Sequence, residues 1–523
     1  MKRLGVAAVF LSSAALAAAQ PARSHGPVEV RQAVRWDVSP PLRDIPVTPP
    51  RFEAPHERPR PLPFRAAGLP DNAPDPVAQT SASVLVAATA ETNFDGVGVG
   101  FTGPDGNFSP DAAPPDTNGA VGLTQYVQWV NESFAVFDKS TGDPIYGPTA
   151  GNTLWAGFGG GCEDNNDGDP TAQYDKINNR WVMSQFSVSS TPYLQCFAVS
   201  QTSDATGKWN RYAFAQPYFN DYPKIGIWPD GYYASYNMFT STFQGGRACA
   251  YDSAKMIAGE PATEQCFQLS RSYGGLLPSD ADFAPPAGAP NYVVNFGANS
   301  LNVWNFHVDW ANPEKTTLTG PANLPVAAFS TACGGGACIP QPGKRSGKLD
   351  SLGDRLMYRL AYSRVSGQES LVVNHSVKAG GNKRTEIDGI RWYEIDVTGG
   401  TPSILQQGTF SPDSNNRWMG SAARDKMGNI AIGYSVSSTS VYPSVRYTGR
   451  QAADAPGTLG AEASIHGGTG SQGRSLNRWG DYSSLSVDPV DGCTMWYTTE
   501  YLKTDGTFNW STRIGTIKFP NCN

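Results

Sequence analysis

Arg478-Trp479-Gly480-Asp481-Tyr482, near the end of a 523-residue chain, brings a guanidinium, a carboxylate and a phenol together within five residues. An arginine can grip a carboxylate, sulfate or phosphate through paired hydrogen bonds, and a carboxylate beside it can move a proton. Similar polar clusters recur upstream: Asp116 with Asn118, Asp167 with Asp169, Asp221 with Lys224, Asp354 with Arg355, and Arg417. Carboxylates crowded together have their pKa values pushed apart, which suits one for general acid and another for general base work on a glycosidic bond. Asp116, Asp169, Asp221 and Asp481 are therefore the candidate acid and base. Tyr482 is a candidate nucleophile, with Glu500 in support. Lys224, Arg355, Arg417 and Arg478 would orient an anionic ligand. Each of these charges also has a structural alternative, capping a loop or pairing with a neighbouring sheet.

Such residues act together only if the fold gathers them. After each cluster comes an alternating strand, a tight Asp/Asn/Gly turn and a returning strand, as in Tyr174 to Val182, Ile227 to Tyr233, Arg424 to Ala431 and Val487 to Cys493. Units of this plan begin near Asp116, Asp169, Asp221, Asn291, Asp354, Arg417 and Arg478, roughly 50 to 70 residues apart, a spacing that suits four-stranded blades. The unit near Asn291 is the faintest. The expected fold is all-β, a β-propeller with seven blades, six being the alternative. In such a ring the lead-ins to the innermost strands converge on one axis.

Pro114-Pro115-Asp116-Thr117-Asn118-Gly119-Ala120-Val121-Gly122, Asn416-Arg417-Trp418-Met419-Gly420 and Asn477-Arg478-Trp479-Gly480-Asp481-Tyr482 resemble motifs of a group of uncharacterised secreted bacterial propeller proteins. More distantly the layout is similar to the sialidase-like propeller superfamily, although no clean Ser-x-Asp-x-Gly-x-x-Trp box is present. That resemblance implies a propeller whose ligand binds at one end of the central channel.

Composition narrows the function. The net charge is −6 and 16% of residues are charged, so no basic field exists to hold nucleic acid. Met1-Lys2-Arg3, the apolar run from Leu4 and the small residues Ala17-Ala18-Ala19 have the three parts of a secretory signal peptide, assigned to residues 1–19. Residues 20–90 are rich in Pro, Arg and Ala and read as an extended or disordered spacer before a propeller domain over 91–523. No later run is long and apolar enough to span a bilayer. The eight cysteines fall into near neighbours, Cys162 with Cys196, Cys249 with Cys266, Cys333 with Cys338 and Cys493 with Cys522, and local disulfides are expected in an oxidising compartment.

No cofactor is expected. The acidic run Cys162 to Asp169 could hold calcium near Asp164 and Asp167, with an acidic turn as the alternative. The functional expectation is a secreted hydrolase or lyase of an acidic extracellular glycan, working as a monomer. The alternative is a non-catalytic propeller that binds glycan or protein at the cell surface.

Overall fold

The computed structural model describes residues 26–48, 60–63, 68–69, 73–81, 88–110, 112–343, 346–382 and 385–523. The signal-peptide expectation lies outside these residues. The chain folds as successive antiparallel meanders, each starting from an inner strand: β1 (Asn118–Val121), β2 (Thr171–Asp175), β3 (Phe219–Trp228), β4 (Leu277–Ala281), β5 (Met357–Val365), β6 (Asn416–Arg424) and β7 (Ser484–Val487). Each inner strand touches the next, and β7 touches β1, so the inner strands close a ring. An all-β ring of radial meanders is β-propeller architecture. Closure is reinforced where Asn93–Asp95, from the N-terminal side, forms the outer strand of the last sheet, pairing Phe94 with Ile514.

Turn chemistry sets the hairpins. Asp175 Oδ1 accepts from the backbone N–H groups of Ile177 and Asn178, both at 2.9 Å, and so reverses the chain after β2. Asp425 Oδ1 does the same for Met427 and Asn429 after β6. Between sheets the core is aromatic. The Trp228 and Tyr362 rings meet edge to face with centroids 4.8 Å apart, and Tyr126 stacks on Trp496 at 5.4 Å. Adjacent sheets approach so closely that a Cβ on Gly433 would lie 2.6 Å from the Tyr497 ring. Only glycine fits there.

Two parts of the chain differ from the sequence pattern. The unit expected near Asn291 begins earlier, at β4, and Asn291–Gly297 is its second strand. β4 was hidden because it is short, carries Pro278, and pairs with its own second strand through only Leu277 and Pro278. Its remaining residues pair in parallel with β5, Ser279 opposite Leu360. Within the segment expected as a spacer, Glu29–Gln32 and Arg35–Val38 add edge strands to the sheets of β3 and β2, and Ala78–Gln79 pairs with the outer strand of the β5 sheet. All four local disulfides are formed. No helix among the described residues is long and apolar enough to cross a membrane.

Candidate functional site

The lead-ins to the inner strands share a backbone device. Asp116 (φ 47°), Asp169 (φ 48°), Tyr222 (φ 56°), Leu352 (φ 45°), Met419 (φ 56°) and Asp481 (φ 58°) all occupy the left-handed region just before or within the start of an inner strand. A non-glycine residue there stores strain, and it persists only where the surroundings fix it. The fixing bonds are visible. Asp169 Oδ2 accepts from Tyr222 N–H at 2.8 Å, Asn118 Oδ1 accepts from Ala172 N–H at 2.7 Å, and Asp481 N–H donates to Trp479 C=O at 2.7 Å.

Four of these turns, those of Asp169, Tyr222, Leu352 and Asp481, line one pocket at the start of the inner strands. Asp169, Asp221, Arg355, Arg478 and Asp481 all line it, together with Tyr222, Asp350 and Asp354. Lys224 and Tyr482 do not line it: Lys224 is fully buried, its ammonium 3.5 Å from the ring centroid of Tyr222 and 3.8 Å from that of Tyr482. Tyr482 donates its hydroxyl to Pro170 C=O at 3.0 Å. Asp116 does not line it either; it is fully buried, and its charge is among those felt by Lys224.

The arginines are already partnered. Arg355 forms a fork with Asp354, Nε to Oδ1 at 2.7 Å and Nη2 to Oδ2 at 3.2 Å. Arg478 is paired with Asp481. Arg417 does not line the pocket; its buried guanidinium binds Asp413 at 2.8 Å and Glu462 at 2.6 Å within its own sheet and the adjoining loops.

Burial raises three carboxyls in and beneath the pocket, those of Asp221, Glu500 and Asp350. Desolvation, then the nearby Asp169 charge, pushes the Asp221 carboxyl up to about 7, so a substantial fraction of it still holds a proton near neutrality. Desolvation lowers Lys224 to about 8 against the pull of Asp169 and Asp116. Glu500, fully buried, accepts from Gly480 N–H at 2.8 Å beneath the Arg478 to Tyr482 turn. Burial, opposed by that hydrogen bond and aided by Asp481, raises its carboxyl well above the usual range. Asp350 is also raised, chiefly by burial.

Sequence reasoning missed Asp350, Tyr222 and Arg60. Arg60 comes from the proline-rich segment and lies across the mouth. Its Nε is 3.8 Å from Asp221 Oδ1, its guanidinium is 4.0 Å from the Phe219 ring centroid, and its carbonyl accepts from Arg355 Nη2 at 3.4 Å. Two residues on, Leu62 N–H donates to Asp354 Oδ2 at 2.9 Å and its side chain is buried with Phe239 and Phe243. Nothing periodic in residues 60–62 marks this role. Asp350 had a weak signal, four residues before Asp354.

Toward the other ends of the inner strands, a second charged cluster was also missed. Arg359 donates to Asp280 at 2.6 Å and to Asp282 at 2.7 Å, and Lys176 is paired with Asp282 as well. Arg359 Nη1 further donates to Leu485 C=O at 3.2 Å, so the cluster ties β5 to β7, to β4 and to the segment after it. The acidic run considered for calcium serves as turn caps: Asp167 Oδ2 accepts from the N–H groups of Val188 and Ser189, and Glu163 from those of Gly157 and Gly159. Asp164 is exposed.

No protein-family model matches the chain, and no curated protein matches it. Among solved structures it is similar to an α-L-arabinanase of Penicillium chrysogenum complexed with arabinobiose, at 10% identity over 83% of this chain and 100% of that one, TM-score 0.37. It is also similar to the N-terminal domain of Nup159, at 9% identity over 87% of this chain and 100% of that one, TM-score 0.35. An ulvan lyase from a new polysaccharide lyase family matches at 12% identity over 77% of this chain and 81% of that one, TM-score 0.30. Likenesses at these scores assign no activity, and the propeller description rests on the closed ring of sheets.

Proposed function

We propose that this chain is a secreted, seven-bladed propeller that cleaves an extracellular glycan at the pocket where the inner strands begin. The observation that carries the reading is the pair Asp221 and Asp169: two carboxyls lining one pocket, with the Asp221 carboxyl raised to about 7. In a glycoside hydrolase one protonated carboxyl gives its proton to the leaving oxygen, and an ionised one activates water or attacks the sugar. Asp221 takes the first role and Asp169 the second. Arg355 and Arg478, each already neutralised by its own aspartate, orient the sugar through N–H groups rather than as free cations, so the carboxylates carry more of this reading than the arginines do. The seven blades are supported by the seven inner strands of the ring, and secretion by the four disulfides.

The test is reducing-end release from a panel of neutral and uronic-acid polysaccharides. Wild-type protein should release product from at least one, and Asp221→Asn should lose about 100-fold or more of that rate. Absence of release from every glycan, or full activity in the variant, overturns the reading. A second reading, a propeller that binds protein without turnover, is favoured by the Arg60-Pro61-Leu62 peptide seated in the same pocket. It predicts saturable binding of an Arg-Pro-Leu peptide by the Arg60→Ala protein, with no glycan release.

A further inference from the structure

The Cys333 and Cys338 bridge differs from the other three. Cys162, Cys196, Cys249, Cys266, Cys493 and Cys522 are buried, with at most 1% exposure. Cys333 and Cys338 are both partly exposed, in a loop whose Gly334 and Ala337 face solvent. Both of their sulfurs also lie 3.6 Å from one carboxyl oxygen, Asp388 Oδ2. Disulfide sulfurs carry no proton, so a buried carboxyl sits beside them favourably when it holds a proton of its own. Asp388 is fully buried, and its other oxygen has no hydrogen-bond partner among the described residues. The charged groups facing it are Glu386, two residues before it, and Lys378, opposite it on the neighbouring strand. Burial, then the Glu386 charge, pushes the Asp388 carboxyl well above the usual carboxylate range. Glu386 is itself tied to the loop, since its Oε1 accepts from Cys333 N–H at 2.6 Å.

We propose that Cys333 and Cys338 form a thiol–disulfide exchange site, with Asp388 as its proton donor and a dithiol as its reaction partner. A thiolate of the partner attacks one sulfur and forms a mixed disulfide while the Cys333 to Cys338 bond breaks. The departing sulfur takes the electron pair and the Asp388 proton. The partner's second thiolate then attacks the mixed disulfide, its own sulfurs become joined, and the second cysteine leaves as a thiolate that is protonated from water. Two electrons pass from the dithiol to the bridge, and Asp388 regains its proton from solvent.

Exchange at this loop reaches the pocket described above. Gly335 lines that pocket, and a Cβ on it would lie 3.3 Å from Asp354 Cβ. Ser351 N–H donates to Gly336 C=O at 3.0 Å, and Ser351 Oγ donates to Ala332 C=O at 3.0 Å. The loop is thus bonded to the segment that carries Asp350, Asp354 and Arg355. This inference does not depend on the pocket's activity.

The experiment is reduction of the folded protein by dithiothreitol, quenched with iodoacetamide and mapped by peptide mass spectrometry. Cys333 and Cys338 should label about tenfold or more faster than the other six cysteines, and Asp388→Asn should slow their opening about fivefold at pH 7 with the melting temperature kept. In the wild-type protein, the opening rate divided by the thiolate concentration of the reductant should fall as pH rises and Asp388 loses its proton. That measurement stands even where the variant fails to fold. Simultaneous opening of all four bridges, a thiolate-corrected rate that stays flat with pH, or a folded Asp388→Asn protein opening at the wild-type rate overturns the proposal.

Discussion

Tyr482 donates its hydroxyl to the carbonyl of Pro170 at 3.0 Å, joining turns 312 residues apart in the chain. The bond ties the lead-in of β7 to that of β2, and the Lys224 ammonium covers the ring. The phenol is thereby a fixed structural donor. Tyr482→Phe should lower unfolding stability by about 1 kcal/mol, the cost of leaving a buried carbonyl unbonded, while glycan turnover stays within about tenfold of wild type. Urea denaturation and the reducing-end assay check the two halves separately.

The raised Asp221 carboxyl gives a signed pH dependence. Its ordinary value is 3.8 and in the fold it is about 7, so the folded state holds a proton there that the unfolded chain gives up. The stability this contributes is complete below about pH 4 and is lost as pH rises through about 7. Asp221→Asn should flatten the fall in stability between those limits. Denaturation midpoints at pH 4.5 and 7.5, compared between wild type and variant, measure this. Equal pH slopes in the two proteins contradict the assignment.

Arg60 lies against Asp221 and Phe219 across the pocket mouth, held on either side by Arg355 and Leu62. Arg60→Ala should open the mouth and raise kcat/KM for a polymeric substrate several-fold, with a smaller effect on a short one. A pair exposed to this degree contributes at most about 1 kcal/mol to the fold, so stability should change little. Kinetics on long and short glycans distinguish the outcome.

Arg359 anchors a buried charge cluster with Asp280, Asp282 and Lys176. Arg359 is 3% exposed and serves both Asp280 and Asp282, so Arg359→Ala leaves two buried carboxylates short of a cation. The expected loss is about 3 to 5 kcal/mol in chemical denaturation, with the pocket at the opposite end otherwise unchanged.

Much of the architecture was legible in the sequence because each hairpin carries its own local instructions. Asp175, Asp425 and Asp491 cap turns with their side chains, and such capping leaves a readable Asp, Asn or Gly signature. The near-neighbour cysteines were legible for the same reason, since Cys249 and Cys266 are directly opposed across two adjacent strands. β4 was not, because its pairing is mostly with β5, a partner some 80 residues on that local pattern does not reveal. Asp169, Asp221, Arg355, Arg478 and Asp481 could be proposed from their place before inner strands, and the structure brings these five to one pocket. Arg417 occupies an equivalent sequence position, yet Asp413 and Glu462 draw it into its own sheet. Whether an arginine faces the axis or its own sheet depends on where the carboxylates sit, and Glu462 lies 45 residues away. Arg60 was illegible because its partners, Asp221 and Phe219, are met only in three dimensions.

The most direct measurement compares turnover and affinity in Asp221→Asn on the same glycan. Removing the proton donor while keeping the side chain's size should cut kcat by about 100-fold or more and leave the dissociation constant within about threefold, in a variant that is still folded at the assay pH. A folded Asp221→Asn protein that turns over at the wild-type rate, or a wild-type protein that binds glycan but never cleaves it, contradicts the assignment of Asp221 as the acid.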